Sequence, residues 1–525
     1  MAYRTRDYDR TSPPPQGGSQ NSEGSTRQRL WNTEQPTITL DEMSISKDNP
    51  EASEDYNIED VLSVKYPFIK INDYVFSEQE IDSITIDSRE FLPTVTLRVT
   101  FLNDLFLSKE LPKDGDIISV MIRNKSDLLK PIRNDYVITG TSQPMKSTMD
   151  KDAYSMTFFG ELFVPGLKSY LGSSAIRGTS MEALKQMAKE LELGFSTNET
   201  ETFDSQIWYS TGPAIEFIQD TVSKAWKDED SFFYSWIDVY YNLNFVNIQK
   251  ELLASEEDID LSAALNNVDN EYNYGIKTDE TSSTAKVFSN FVGMRSTSNY
   301  ITHWKPVNRS SALTFEYGTT INTSFYEQTG DPDAQKYWKF EVPPKYDEDK
   351  LENYIILRGR PTWNADVNTD QTARANYNYK DLYSRTPWLG IQYTIADAEA
   401  DPGQWTGNHH PNYMRAQVHN FVNMIELAKL NVEIRVQGTN LNFIKGEKIP
   451  TVLIKTDPTE VKMAYPDRDQ TEEIDFFYSG WYMIMGFKVE WARDEDNILS
   501  NFSQSFVLTR REWPTPEPVK GINNI

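Results

Sequence analysis

The residue types in this chain that are able to do chemistry are few, and their spacing narrows what each one does. Asp228, Glu229 and Asp230 form a run of carboxylates, and a pair of carboxyl groups across a cleft is the equipment of a glycoside hydrolase. Consecutive charges of this kind read instead as a solvated loop. His409, His410 and His419 are three of only four histidines. Adjacent histidines on an extended segment do not both aim at one ion, so "HHPNY" before a helix reads as an ordered turn with His419 on a helix face. The chain has no Cys, which excludes disulfides and thiolate metal sites. No G-x-S-x-G, H-E-x-x-H or phosphate-binding loop occurs. Nothing here asks for a catalytic residue, a metal or a cofactor, and the expectation is a protein that is not an enzyme.

The elements that would position a site are mainly β. Of the 525 residues, 12 are Trp, 28 Tyr and 26 Phe, enough ring area for several cores, and that length implies more than one domain. Residues 1–55, with "SPPPQGGSQNSEGS", lack any apolar period and read as a disordered or extended arm. From 56 to 168 short β-branched and aromatic runs such as "TVTLRVTF", "DIISVMI" and "YVITG" alternate with turn residues, the signature of an antiparallel barrel. From 169 to 265 the period changes. "GTSMEALKQMAKELELGF" opens on a capping box, Thr179 and Glu182, and places Met181, Leu184, Met187, Ala188 and Leu191 on one helical face before Gly194. A second helix starts near Pro213 with Ile215, Phe217, Ile218, Val222 and Trp226, and "SFFYSWIDVYYNLNFVNIQ" reads as a hairpin. Residues 266–424 read as a loop-rich insertion ending in a connecting helix, 425–513 as a second β-barrel domain, and 514–525 as an extended tail able to act as a strap.

The two barrels repeat one another. Unit one runs "VTLRV", Gly115 with an acid and a buried strand, "YVITG" at Tyr136–Gly140, and a closing strand from Ser155. Unit two runs "VEIRV", Gly446 with an acid and a strand carrying one extra residue at Pro450, "YMIMG" at Tyr482–Gly486, and a closing strand from Ser503. Differences in loop length are cheap, because loop closure depends weakly on length. A doubled barrel has a geometric use. Three chains present six similar units around one axis and meet a sixfold ring while keeping threefold symmetry.

Net charge is −27, a field that repels nucleic acid and anionic lipid, and no Lys/Arg cluster with interleaved aromatics offsets it. No apolar run is long enough to insert in a membrane, and the first residues lack the apolar core of a signal peptide.

The chain resembles the baseplate hub proteins of contractile phage tails, the family of the T-even-type hub, and more distantly the hub portion of type VI secretion spikes. The likeness spans about 59–513. It is carried by "AKELELGF", Gln206, "AIEFIQ" and "SFFYSWIDVYYNLNFVN", and by "SRTPWLGIQY", "HHPNYMRAQVHNFVNMIELAKLNVEIRV" and "NFIKGEKIPTVLI". The arm, the acidic stretch "KTDPTEVKMAYPDRDQTEEID" and the large middle region depart from the family pattern.

The resemblance implies a homotrimer that joins the sixfold tail tube protein to the central spike protein and contacts the baseplate wedge proteins. It also implies a lumen through which genomic DNA passes without specific binding, in a virion tail baseplate assembled in the host bacterial cytoplasm. Partner-contact candidates are Tyr136, Tyr482, Trp481, Arg510, Arg511 and Trp513. The rival reading is a carbohydrate-binding or wall-degrading tail protein, in which "YSTGPAIEF", "WIDVYYNLNF" and "GQWTGNHHPNYM" stack on sugars instead of serving as core or interface anchors.

Overall fold

The structure, a computed structural model, describes most residues of 67–101, 115–122, 132–146, 154–169, 174–253, 288–290, 300–309, 410–437, 445–454 and 475–510. It adds short strands at 321–328, 336–342, 354–355, 362–363, 388–393 and 513–514. The arm, the acidic stretch after Lys455, and the tail beyond 514 lie outside the described residues.

The fold is mainly β, as expected, with a large curled sheet forming a half-barrel. Unit one supplies β1 (Phe68–Ile71), β2 (Tyr74–Val75), β3 (Ile81–Asp87), β4 (Thr94–Phe101), β5 (Ile117–Ile122), β6 (Ile132–Thr141), β7 (Met145–Lys146) and β8 (Tyr154–Leu162). The inserted α+β region holds β9 (Ser174–Gly178), α1 (Ser180–Glu190), β10 (Gly194–Thr197), β11 (Gln206–Ser210), α2 (Ala214–Ser223), β12 (Phe233–Ile237), β13 (Asn242–Asn247) and α3 (Ile248–Leu253). Then come β14 (Phe288–Ser289), β15 (Ile301–Asn308), β16 (Ile321–Gln328), β17 (Lys336–Val342), β18 (Tyr354–Ile355), β19 (Thr362–Trp363) and β20 (Trp388–Tyr393). The chain ends with α4 (Tyr413–Lys429), β21 (Leu430–Gln437), β22 (Lys448–Val452), β23 (Gly480–Ala492), β24 (Asn501–Thr509) and β25 (Trp513–Pro514).

Alternation makes the strands. In β4 every second residue, Val95, Leu97, Val99 and Phe101, is buried while Arg98 between them is exposed. The helices follow their caps: Thr179 and Glu182 close a reciprocal capping box, with Glu182 N–H on Thr179 Oγ1 at 3.3 Å and Thr179 N–H on Glu182 Oε2 at 2.9 Å. Helix α1 stops at Glu190 rather than running to Gly194. Glu192 takes the left-handed turn, at φ 51°, and Gly194 already begins β10.

The repeat is borne out strand by strand. Unit one orders its main strands β3-β4-β8-β6-β5-β1, and unit two orders its own β15-β21-β24-β23-β22-β14. Chain order and sheet order correspond throughout. Val95 sits opposite Gly160 as Val432 sits opposite Leu508, and Ile118 faces Tyr136 as Ile449 faces Tyr482. Irregularities recur as well. The register slips between Ile81 and Ser83 and between Ile301 and His303. It slips again between Ile138 and Gly140 and between Ile484 and Gly486. Gly115 and Gly446 share positive φ, 93° and 87°, and donate to Ile138 O and Ile484 O at 2.9 and 2.7 Å. Bulges are set by specific local sequence, so four matching defects are harder to reach by chance than matching strands. One pairing differs: β1 runs antiparallel to β5, whereas β14 runs parallel to β22.

Two details of the repeat differ from the sequence reading. Pro450 is not an extra residue, since it takes the place of Ser119 in an unchanged register. The second unit also reaches back to β14 and β15, inside the stretch assigned to the loop-rich insertion, so β16–β20 and α4 fill the β15–β21 connection where unit one has only the turn 88–93.

The two barrel-like units share one sheet. β23 of unit two pairs antiparallel with β3 of unit one, Lys488–Ala492 against Asp87–Ser83, which makes one 14-stranded sheet. Trp491 and Ile84 face each other at this seam, both essentially buried. Each side chain of this class contributes roughly 1.5–3 kcal/mol by its burial. Arg493 closes the end of the seam with N–H bonds to Asp82 O at 2.9 Å and from its side chain to Gln79 O at 2.6 Å.

The paired glycines provide a test. A Cβ on Gly115 meets nothing within 4 Å, whereas one on Gly446 lies 2.8 Å from Trp236 Cη2. Gly115→Ala is expected to lose about 1–2 kcal/mol from the left-handed backbone alone, and Gly446→Ala a further 1–3 kcal/mol or so from overpacking. Denaturant unfolding of the two variants measures the difference.

Candidate functional site

The turn at 88–93 is short, and three parts of the fold converge on it. Ile237 N–H of β12 donates to Phe91 O at 2.9 Å, joining the α+β region to unit one. Ser88 N–H donates to Phe487 O at 2.8 Å. A Cβ on Gly486 of β23 lies 2.7 Å from Arg89 Cα, so only glycine admits this approach of the turn. Lys445, in the loop before β22, reaches in with Nζ donating to Arg89 O at 2.9 Å and Glu90 O at 3.1 Å. Its ammonium lies 5.0 Å from the ring centre of Tyr234 and 5.3 Å from that of Trp236.

Lys445 is therefore a clasp of unit one, unit two and the α+β region, and it is 4% exposed. Burial lowers its pKa from 10.5 to about 7, although the charges of Glu90 and Asp87 pull upward. Asp87 itself is opposed by burial, but hydrogen bonds and charge from Arg89 win and hold it below the usual carboxylate range. Nothing in the sequence marked Lys445, because a lysine beside Gly446 in a polar loop reads as solvated.

A second tie fixes α4, which delivers the chain to β21. Asn420 accepts Phe233 N–H at 2.7 Å and donates to Val222 O at 3.0 Å and Ser223 O at 2.9 Å, closing the orphan carbonyls at the end of α2. His410 N–H bonds Gln206 Oε1 at 2.8 Å. His410 Nδ1 accepts from Asn412 N–H at 3.2 Å, which leaves Nε2 as the donor to Lys224 O at 2.8 Å. This neutral, buried imidazole has a lowered pKa, chiefly from burial. It serves as a spacer of the turn. His419 packs edge-on against Trp226 with centroids 5.5 Å apart, and His409 lies outside the described residues. Among the described residues no group of three or more His, Asp or Glu side chains is placed to hold a metal.

The remaining candidates fall as follows. Tyr136 and Tyr482 occupy equivalent positions, fully buried in their own units, so neither offers contact surface. Tyr482 donates to Tyr478 O at 2.6 Å and lies under the Arg510 guanidinium, 5.1 Å from the ring centre. Arg510 is 8% exposed and donates to Ser479 O at 2.8 Å. Trp481 is half-buried opposite Pro450. Tyr482 and Arg510 thus pack together at one end of β23 as internal supports. Trp513 lies in β25, paired with Ile355 of β18, and Arg511 lies outside the described residues. Asp228 accepts Ser231 N–H at 2.8 Å in a turn, while Glu229 and Asp230 lie outside the described residues.

The face of the sheet opposite the core is polar and carries both signs. Arg98 lies 3.8 Å from Asp82, its repeat equivalent Arg435 lies 3.8 Å from Glu490, and Lys305 lies 2.8 Å from Glu433. Lys488 also pairs with Glu490. Charges in this face are matched across strands.

No family model and no curated protein matches the sequence. Solved structures to which the chain shows similarity include the tail protein from Neisseria meningitidis MC58, at 10% identity over 85% of this chain and 97% of that one, with a TM-score of 0.40. The 43 kDa tail protein of prophage MuSo2 from Shewanella oneidensis is 9% identical over 85% and 98%, with a TM-score of 0.39. The E. coli c3393 protein is described as a component of the type VI secretion system with structural similarity to T4 bacteriophage tail proteins gp27 and gp5. It is 8% identical over 86% and 77%, with a TM-score of 0.37.

The Lys445 clasp gives a pH test. The folded chain holds this proton less tightly than the unfolded chain, so between about pH 7 and 10.5 the unfolded state carries more protons and stability rises with pH. Relative to Lys445→Met, the natural chain is expected to gain roughly 2 kcal/mol between pH 7 and 9, read from unfolding midpoints at each pH. Parallel pH profiles would show that the site holds no displaced proton.

Proposed function

We propose that this chain is a structural component of a contractile tail, three copies of which form a ring of six similar units joining the sixfold tube to the threefold spike. The observation that carries the reading is the register-matched duplication, bulges included, within one continuous sheet. Two units joined by the same kind of edge contact turn one chain into one third of a ring, and heterologous contacts of this type close when the rotation per unit divides the circle.

The polar face with its cross-strand ion pairs then lines the lumen. Arg98, Arg435 and Lys305 have carboxylate partners, so passing DNA meets no continuous basic strip, and the net charge of −27 acts in the same sense. Wedge proteins bind the outside of the ring in this reading, and the chain carries out no reaction. Of the stretches that prompted the sugar-stacking alternative, the hairpin gives it little support, since Trp236, Tyr241 and Phe245 are buried, while Tyr209 of "YSTGPAIEF" is exposed.

Native mass of the purified chain, alone and mixed with a spike protein, tests the proposal. The expected result is a trimer, formed directly or on adding spike. A chain that stays monomeric in both cases while binding host glycans would favour the receptor reading instead.

A further inference from the structure

Within the chain, the seam is made by the end of β23 and the edge strand β3, with the turn residue Arg89 resting on Gly486. The repeat supplies both halves of this seam a second time, and among the described residues they are not paired with each other. β15, the equivalent of β3, ends the sheet path and, among the described residues, pairs with β21 alone. The equivalent of the β23 end is the segment from Gly140 to Lys146. We infer that β15 of one copy docks along Gly140–Lys146 of the next, repeating the internal seam between chains. This deepens the ring reading above and rests on it.

The register follows from the repeat. Lys488 faces Asp87 and Glu490 faces Thr85 in the internal seam. Sheet pairing makes Ser142 the equivalent of Lys488, because Thr157 and Ser505 are equivalent and Ser142 N–H bonds Thr157 O at 2.8 Å. Met145, opposite Ser155, is the equivalent of Glu490, opposite Ser503. On the other strand, Val307 and Lys305 are the equivalents of Asp87 and Thr85. Ser142 of one copy therefore faces Val307 of the next, and Met145 faces Lys305.

Three observations point to an occupant of this kind. First, nothing among the described residues requires glycine at 140: an added Cβ meets Phe159 alone, at 3.9 Å, and the backbone has no positive φ. Its equivalent, Gly486, is glycine because Arg89 rests on it, and the equivalent of Arg89 is Arg309, an exposed arginine at the end of β15. Second, Met145 is the most exposed large apolar side chain among the described residues, at 65%, and the contact would cover it.

Third, the prolines agree. Pro306 cannot donate a hydrogen bond and forbids registers that need one from it. Its equivalent Ile86 faces Val489, and on the other strand that place is held by Gln143 and Pro144, which together oppose Met156 in a bulge. The missing donors fall at the same point. Prolines on an edge commonly guard against indiscriminate pairing, and here they leave this register open.

The absence of cysteine makes the test direct. Met145 and Lys305 would form a non-hydrogen-bonded antiparallel pair, with Cα atoms about 4.5 Å apart, within disulfide reach. Met145→Cys/Lys305→Cys, oxidised and run without reductant, is expected to give covalent dimers and a band of three chains, while each single variant stays uncrosslinked. Ser142→Cys/Val307→Cys serves as the second pair. Gly140→Val is expected to keep the natural unfolding midpoint and lose at least tenfold in trimer formation.

A trimer by mass that neither cysteine pair crosslinks, and that Gly140→Val leaves intact, overturns this contact but not the ring. A chain monomeric at every concentration, with and without spike, overturns both.

Discussion

The pairing of Lys488–Ala492 with Ser83–Asp87 is the constraint on which the rest of the architecture depends. A β-edge carries unmet donors and acceptors, and each unit on its own would expose two of them. The seam covers the edge strand β3 of unit one with the half of β23 that β22 leaves uncovered, and fixes the angle between the units through strand twist. Once that angle is fixed, the turn 88–93 lies where β23, β12 and Lys445 can all reach it. The α+β region is thereby a brace across the seam, anchored on the far side by Asn420 and His410. It holds one sheet at a defined curvature.

That arrangement explains why a charged amine is kept in an interior. Replacing a buried ion with apolar groups of similar volume is often neutral or stabilising, so Lys445 is a poor choice for stability alone. Its three donors nonetheless satisfy two carbonyls of a tight turn while its charge sits on two rings, a combination that fixes one docking geometry. The symmetry-adapting role proposed above asks for the same thing, because a ring closes only when every joint has the same angle.

Much of this was legible in the sequence, for identifiable reasons. The capping box at Thr179, the apolar faces of α1 up to Ala188 and of α2 up to Val222, and the strand alternation around Val95 and Val432 are local signals and appear where expected, whereas Leu191 and Trp226, read as part of those faces, lie beyond the ends of α1 and α2. "YVITG" and "YMIMG" were readable as a repeat because Tyr136 and Tyr482 fill the same core position and the glycines end the same bulge. The missed parts are non-local. β15, "ITHWKPVN", carries a mid-strand proline and mostly exposed positions, so its edge role shows only when β21 is placed beside it. The seam itself has no sequence signature, since Asp87 and Lys488 are 401 residues apart and ordinary in composition. Of the interface candidates, Tyr136 and Tyr482 are core, whereas Gly140 and the exposed Met145 lie on the edge inferred above to meet a second copy.

End-on averages of the purified assembly by electron cryomicroscopy test the central claim most directly. Six lobes of similar density, alternating in detail about a threefold axis and joined by an unbroken inner wall of strands, are predicted. Three separated lobes, or a particle whose two units per chain differ in radius from the axis, would contradict it.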